Sequence, residues 1–210
     1  MGGVSICSSV FLSILYENMK NIALFASGNG TNVQRIAEYF ADNENVRIKL
    51  IVCNNANAYV LERAEKLGIK SFLINKKEAF YNSNAVLEIL QQNSIDFIVL
   101  AGFLWLIPDE VIAAFPNKII NIHPALLPKY GGKGMYGMRV HEAVVANKER
   151  ESGITIHYVN QHYDEGEIIF QAKCPLSPED TPENLAQKIH ALEYEYFPKI
   201  IEREIAGQKT

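Results

Sequence analysis

Asp96-Phe97-Ile98-Val99-Leu100-Ala101-Gly102 sets five apolar residues in unbroken succession between an acid and a glycine. A strand with no in-out alternation is dry on both faces, the condition of a parallel sheet covered by helices on each side. Ile51-Val52-Cys53-Asn54 has the same character. Outward from these two stretches, short β-branched and apolar runs alternate with longer segments of helical period. The pattern predicts strands over 21–26, 46–53, 72–74 and 97–101, with helices over 33–40, 60–67 and 85–92 between them. Such alternation specifies βαβ units and hence an open, doubly wound, mostly parallel α/β sheet. A fifth strand follows over 119–123 and a helix around 141–147. Two further strand-like runs, ITIHYVN (154–160) and EIIFQAK (167–173), flank the turn Tyr163-Asp164-Glu165-Gly166. They predict an antiparallel hairpin toward the C-terminal end of the sheet. Thr181-Pro182-Glu183 supplies a cap, a proline at the first helical position and an acid in the first turn, so it opens the last helix. Pro198 is expected to kink or interrupt that helix.

The chain has 210 residues, 48% of them apolar and 21% charged. A length of this order buries roughly 70–75% of the unfolded surface as one large domain. Disorder, collagen-like repeats and a continuous coiled coil are excluded by the same balance. Twenty Lys and Arg against 24 Asp and Glu give a net charge of −4, so no global positive field exists to hold a nucleic-acid backbone. Cys7, Cys53 and Cys174 are odd in number, far apart and form no CxxC pair. Neither a disulfide framework nor a structural zinc site is indicated, and a reducing cytoplasm fits. The apolar stretch VSICSSVFLSILY (4–16) lacks a preceding Lys or Arg and is too short to span a bilayer. Because Met19 stands directly before the first strand, residues 1–18 read as a non-native or disordered leader, and 19–210 as a single domain.

Two stretches, a loop and a strand end, carry the chemistry. Ser27-Gly28-Asn29-Gly30-Thr31-Asn32 joins the first strand to its helix, and its glycines permit a turn whose N–H groups at the helix start can face a phosphate. The same glycines also serve a tight βα turn with no ligand. A dinucleotide fingerprint would need a third glycine where Val33 stands and an acid near Asn54, so NAD is disfavoured. In Lys118-Ile119-Ile120-Asn121-Ile122-His123-Pro124, alternation turns Asn121 and His123 to one side, and Pro124 ends the strand. The carboxyl edge of an open α/β sheet is where ligands bind. An amide that donates to a developing oxyanion beside an imidazole that shuttles protons suits acyl transfer. Both side chains could equally satisfy loop backbone groups. Asp164, taken alone, reads as a turn residue.

No Cys or Ser is placed to form an acyl-enzyme, so transfer would be direct. His141, His157, His162 and His190 read as structural or surface residues, and the absence of ligand spacing predicts no metal.

SGNGTN after the first strand, VLAGF at the fourth, NIHPALLPKY at the fifth and YDEG before the hairpin, in this order, resemble the phosphoribosylglycinamide formyltransferase family. The likeness runs from Met19 to about Ile205. It implies a formyltransferase Rossmann-like fold and transfer of a formyl group from 10-formyltetrahydrofolate to the amino group of 5-phosphoribosyl-glycinamide in purine biosynthesis. Asn121, His123 and Asp164 match the family's catalytic trio. Gly30, Thr31 and Asn32 match its phosphate loop, and Glu193 its ribose-binding acid. Leu104, Trp105, Leu106 and Ile107, with Lys77 and Asn121, match the folate pocket. The chain departs from the pattern in the longer loop GGKGMYGMRV (131–140) and in Trp105, where many relatives carry a basic residue. A formyltetrahydrofolate hydrolase would carry an extra N-terminal domain, and a methionyl-tRNA formyltransferase a basic C-terminal one. A phosphate sensor using the glycine loop alone would leave the trio without a purpose. The expected partners are small molecules, with no nucleic acid and no membrane, and the expected assembly is a monomer or homodimer.

Overall fold

The last five residues of strand β1 (Lys20–Ala26) are fully or almost fully buried and divide between two cores. Ile22, Leu24 and Ala26 point to one side of the sheet, Ala23 and Phe25 to the other. Each such buried Ile, Leu or Phe contributes about 1.5–3 kcal/mol, which is why the run carries no polar residue. The computed structural model describes residues 19–207; the leader expected over 1–18, with Cys7, lies outside them.

Around β1 the sheet has seven strands in the order β3-β2-β1-β4-β5-β6-β7. These are β2 (Val46–Cys53), β3 (Lys70–Leu73), β4 (Phe97–Leu100), β5 (Ile119–His123), β6 (Glu151–Tyr158) and β7 (Ile168–Pro175). β1 to β5 pair in parallel, whereas β6 is antiparallel to both β5 and β7. The mostly parallel sheet with a C-terminal antiparallel hairpin follows the sequence pattern.

Helices α1 (Thr31–Tyr39), α2 (Val60–Lys66), α6 (Met138–Ala146) and α7 (Pro182–Gly207) cover one face through residues such as Ile36, Ala64, Val144 and Ile189. The other face is covered by α3 (Lys77–Tyr81), α4 (Ala85–Gln92) and α5 (Asp109–Ala114), through Phe80, Leu90 and Val111. Neither α3 nor α5 is among the helices that the sequence pattern predicts. α3 spans one turn and shows no period, but Pro108 followed by Asp109 and Glu110 did mark the start of α5.

Of the kink or interruption expected at Pro198, the interruption does not occur in α7. The Thr181 cap forms, its hydroxyl accepting the N–H of Asn184 at 3.3 Å. Pro198, however, does not interrupt the helix, which continues for 26 residues. Leu185 and Ile189 before the proline, and Ile200 and Ile201 after it, are buried in one core. Burial of both halves offsets the loss of one backbone hydrogen bond.

Candidate active site

The carboxyl ends of β1, β4 and β5 open on a cleft of about 600 Å³, lined among others by Gly30, Leu104, His123, Asp164 and Glu193. The loops after β1 and β4 are tied together: the Ser27 N–H donates to the Gly102 carbonyl at 3.0 Å, and the Leu104 N–H donates to the Ser27 hydroxyl at 2.9 Å. Gly30 caps α1 with φ of 75°, and a Cβ there would lie 2.7 Å from Val60 Cβ. Only glycine meets both demands. No side chain caps α1, so the first N–H groups of the helix, beside Thr31 and Asn32 at the cleft wall, remain available to an anion.

On the opposite side, pairing between β5 and β6 sets Asn121 across from His157 and His123 across from Thr155. Thr155 anchors the chain after His123: its hydroxyl donates to the Ala125 carbonyl at 2.7 Å and accepts the Leu127 N–H at 3.0 Å. The turn between β6 and β7 brings in Asp164, whose φ of 58° is left-handed, a conformation Asp tolerates better than most residues. Asp164 Oδ2 accepts the Gly132 N–H at 2.9 Å and lies 3.5 Å from His123 Nδ1. Asp164 Oδ1 lies 3.4 Å from Asn121 Nδ2 and 3.6 Å from His157 Nε2. Three residues from two distant motifs therefore converge, and a fourth, His157, joins them. The strand period gave no sign of His157, because its encounter with Asn121 depends on a register set only by the fold.

A carboxylate partner raises the pKa of an imidazole, and Asp164 acts on His123 in that direction. Burial outweighs it: the His123 side chain is 4% exposed. Desolvation holds the ring below its ordinary value despite the pull of Asp164 and of the Tyr130 carbonyl. That carbonyl lies 2.8 Å from His123 Nε2, which fixes Nε2–H as the donor and leaves Nδ1 facing Asp164. Burial also pushes the Asp164 carboxyl up, but the donors that face it, the Gly132 N–H among them, prevail, so it stays below the usual carboxylate range.

Glu193 is buried on the side of the cleft lined by Gly30, Thr31 and Asn32. Its Oε2 accepts the Asn32 amide at 2.9 Å and lies 2.9 Å from His190 Nδ1, whose pKa that contact raises. His141 is likewise buried against the cleft. Of the residues matched to a folate pocket, Lys77 and Leu104 line the cleft, Leu104 being 42% exposed. Trp105, Leu106 and Ile107 do not. Ile107 is drawn into the core, and Trp105 turns edge-on to Phe80, with Lys77 Nζ 5.8 Å from its ring centre. Tyr136 and Arg139, which the motifs did not single out, line the cleft from the glycine loop and the start of α6.

Fold and site together define a Rossmann-like α/β protein with an amide, an imidazole and a carboxylate at the ligand edge of its sheet. Residues 20–201 match the family model described as Formyl transferase, and the chain belongs to that family. It is 38% identical over 187 residues to "Phosphoribosylglycinamide formyltransferase, chloroplastic" of Arabidopsis thaliana, covering 87% of this chain and 64% of that protein. This chain thus spans under two thirds of the plant protein's length. It is 37% identical over 190 residues to the phosphoribosylglycinamide formyltransferase of Bacillus subtilis, covering 88% of this chain and 94% of that one. The crystal structure of glycinamide ribonucleotide transformylase 1 from Symbiobacterium toebii superposes with a TM-score of 0.82 at 32% identity, covering 91% of this chain and 90% of that one.

Proposed function

We propose that the cleft transfers a formyl group from 10-formyltetrahydrofolate to the amino group of 5-phosphoribosyl-glycinamide, and that residues 19–210 act as one catalytic domain for this step of purine biosynthesis. The observation that carries this reading is the convergence of Asn121, His123 and Asp164 within 3.5 Å contacts of one carboxylate, beside an uncapped helix start in the same cleft.

The phosphate of the substrate docks on the N–H groups at Gly30, Thr31 and Asn32, and Glu193 accepts from the ribose hydroxyls. The folate approaches from the side of Leu104 and Lys77, with the segment from Trp105 to Ile107 behind them. The amine attacks the formyl carbon, a C–N bond forms, and the carbonyl pair moves onto oxygen. Asn121 donates an N–H to that oxygen, worth about 3 kcal/mol by comparison with other oxyanion donors. Because burial keeps His123 neutral before reaction, Nδ1 can take the proton that the attacking nitrogen sheds, through a water. The imidazolium so formed is paired with Asp164. The proton then passes to N10 of the folate, the C–N10 bond breaks, and tetrahydrofolate leaves with the formyl group on the acceptor nitrogen. No metal takes part.

The compartment that suits free Cys53 and Cys174 is a reducing one, the cytoplasm; among the described residues no helix is long and apolar enough to cross a membrane. The protein works as a monomer or homodimer on small molecules.

A spectroscopic assay of tetrahydrofolate release, run with and without the glycinamide ribotide, tests the proposal. Release that depends on the acceptor is expected. Release without it would assign a hydrolase, and no release under either condition would leave only a phosphate-binding protein.

A further inference from the structure

His157 is 2% exposed, sits on β6 and belongs to none of the motifs that define the site. Its Nδ1 lies 2.8 Å from the carbonyl oxygen of Tyr158. A carbonyl oxygen offers only lone pairs, so Nδ1 carries the proton. Nε2 is then an acceptor, and 3.0 Å away stands the side-chain nitrogen of Asn121, its cross-strand neighbour. A second contact of that nitrogen, to Asp164 Oδ1, is long at 3.4 Å. One N–H of Asn121 is thus taken up by His157, and the other is held only loosely toward the reaction centre.

The hairpin turn keeps this chain of contacts tight. A Cβ at Gly166 would overlap the Tyr158 carbonyl oxygen and come within 3.4 Å of His157 Nδ1, so the turn carrying Asp164 closes directly on the groups that set the tautomer.

We propose that His157 is a positioning residue for Asn121: the Tyr158 carbonyl fixes the ring as the Nδ1–H tautomer, and the bare Nε2 selects which end of the Asn121 amide meets the oxyanion. The need follows from the chemistry of the amide. Its oxygen and nitrogen ends have the same shape, and an inverted amide would present a lone pair to a forming negative oxygen. A bare imidazole nitrogen accepts and cannot donate, so it admits only the NH₂ end. The role rests on the formyl-transfer reading, because it acts through the oxyanion, but the tautomer itself does not.

The test combines kinetics with nitrogen NMR on the full chain. Replacing His157 by Phe is expected to lower kcat by about 10- to 100-fold, short of the loss of the whole donor, with KM for both substrates nearly unchanged. His157→Gln, whose amide oxygen accepts the same N–H, is expected to recover most of that loss. In an Asn121→Ala background His157→Phe should change kcat by less than about twofold, since coupled residues do not add. An equal loss in both backgrounds would overturn the proposal. Nitrogen-15 shifts of wild-type His157 should show a protonated Nδ1 and a bare Nε2, and a proton on Nε2 would overturn it whatever the Phe variant does. A wild-type chain without turnover would sink the transfer reading, while the shifts would still decide the tautomer.

Discussion

At the scale of single residues the site works by contrast between neighbours. Asp164 is kept ionised and His123 neutral although they lie 3.5 Å apart, because the carboxylate accepts the Gly132 N–H while burial strips water from the ring. In the proposed transfer, a proton taken by His123 completes an ion pair that the resting protein does not have. Asn121→Ala removes the proposed oxyanion donor and is expected to lower kcat by about 10²–10³-fold. KM for the phosphosugar should stay within a few-fold, as steady-state rates at varied acceptor concentration would show. A proportionate rise in KM would mean that Asn121 mainly holds the ground state. Motifs at this scale could be read from the sequence where they sit on one strand: Asn121 and His123 are two apart and must share a side. Asp164 could be assigned only through family likeness, since an Asp before a Gly in a turn has a sufficient local explanation. His157 could not be read, because its partner lies on another strand.

At the scale of elements, the residues that stay dry on both faces were legible and the short or compensated ones were not. Val46–Cys53, Ala85–Gln92 and Ile119–His123 occupy the spans that their periods indicate. β3 is exposed along much of its length, and its expected span is shifted, because an edge strand has a weak apolar signature. Pro198 misled for a different reason: local backbone chemistry disfavours helix there, and burial on both sides of it prevails. The loop before α1 gives the clearest test of an element. Gly30→Ala forces a Cβ into Val60 at a left-handed φ. The variant should lose about 1–3 kcal/mol of stability in chemical denaturation, and inorganic phosphate should compete less well for the cleft. Unchanged phosphate competition would remove the loop from the binding site.

At the scale of the whole molecule, one cleft draws on both ends of the chain. Asn32 at the start of α1 holds Glu193 in α7, so the first βα unit and the last helix share a wall of the site. The same wall ties stability to pH. Burial holds His123 and His141 below the ordinary histidine value, so each favours the folded state fully above about pH 6.5, and that contribution is lost as pH falls through the folded pKa. His190 is raised by Glu193, so its contribution is complete below the ordinary value and fades as pH rises through its folded pKa. With two groups against one, denaturation midpoints should fall as pH drops from about 7 to 5. His141→Gln should flatten that fall, and a slope identical to wild type would show that His141 does not contribute.

Asp164 is where all three scales meet, as the hub of the side-chain cluster, the tip of the hairpin and the tether of the glycine loop through Gly132. Asn at this position keeps the left-handed backbone accessible and removes the charge alone. Single-turnover formyl transfer by Asp164→Asn, with both substrates saturating, should be slower than wild type by about 10²–10⁴-fold while the Kd for the phosphosugar is nearly unchanged. A rate within a few-fold of wild type would contradict the assignment of this carboxylate, and with it the proton path through His123.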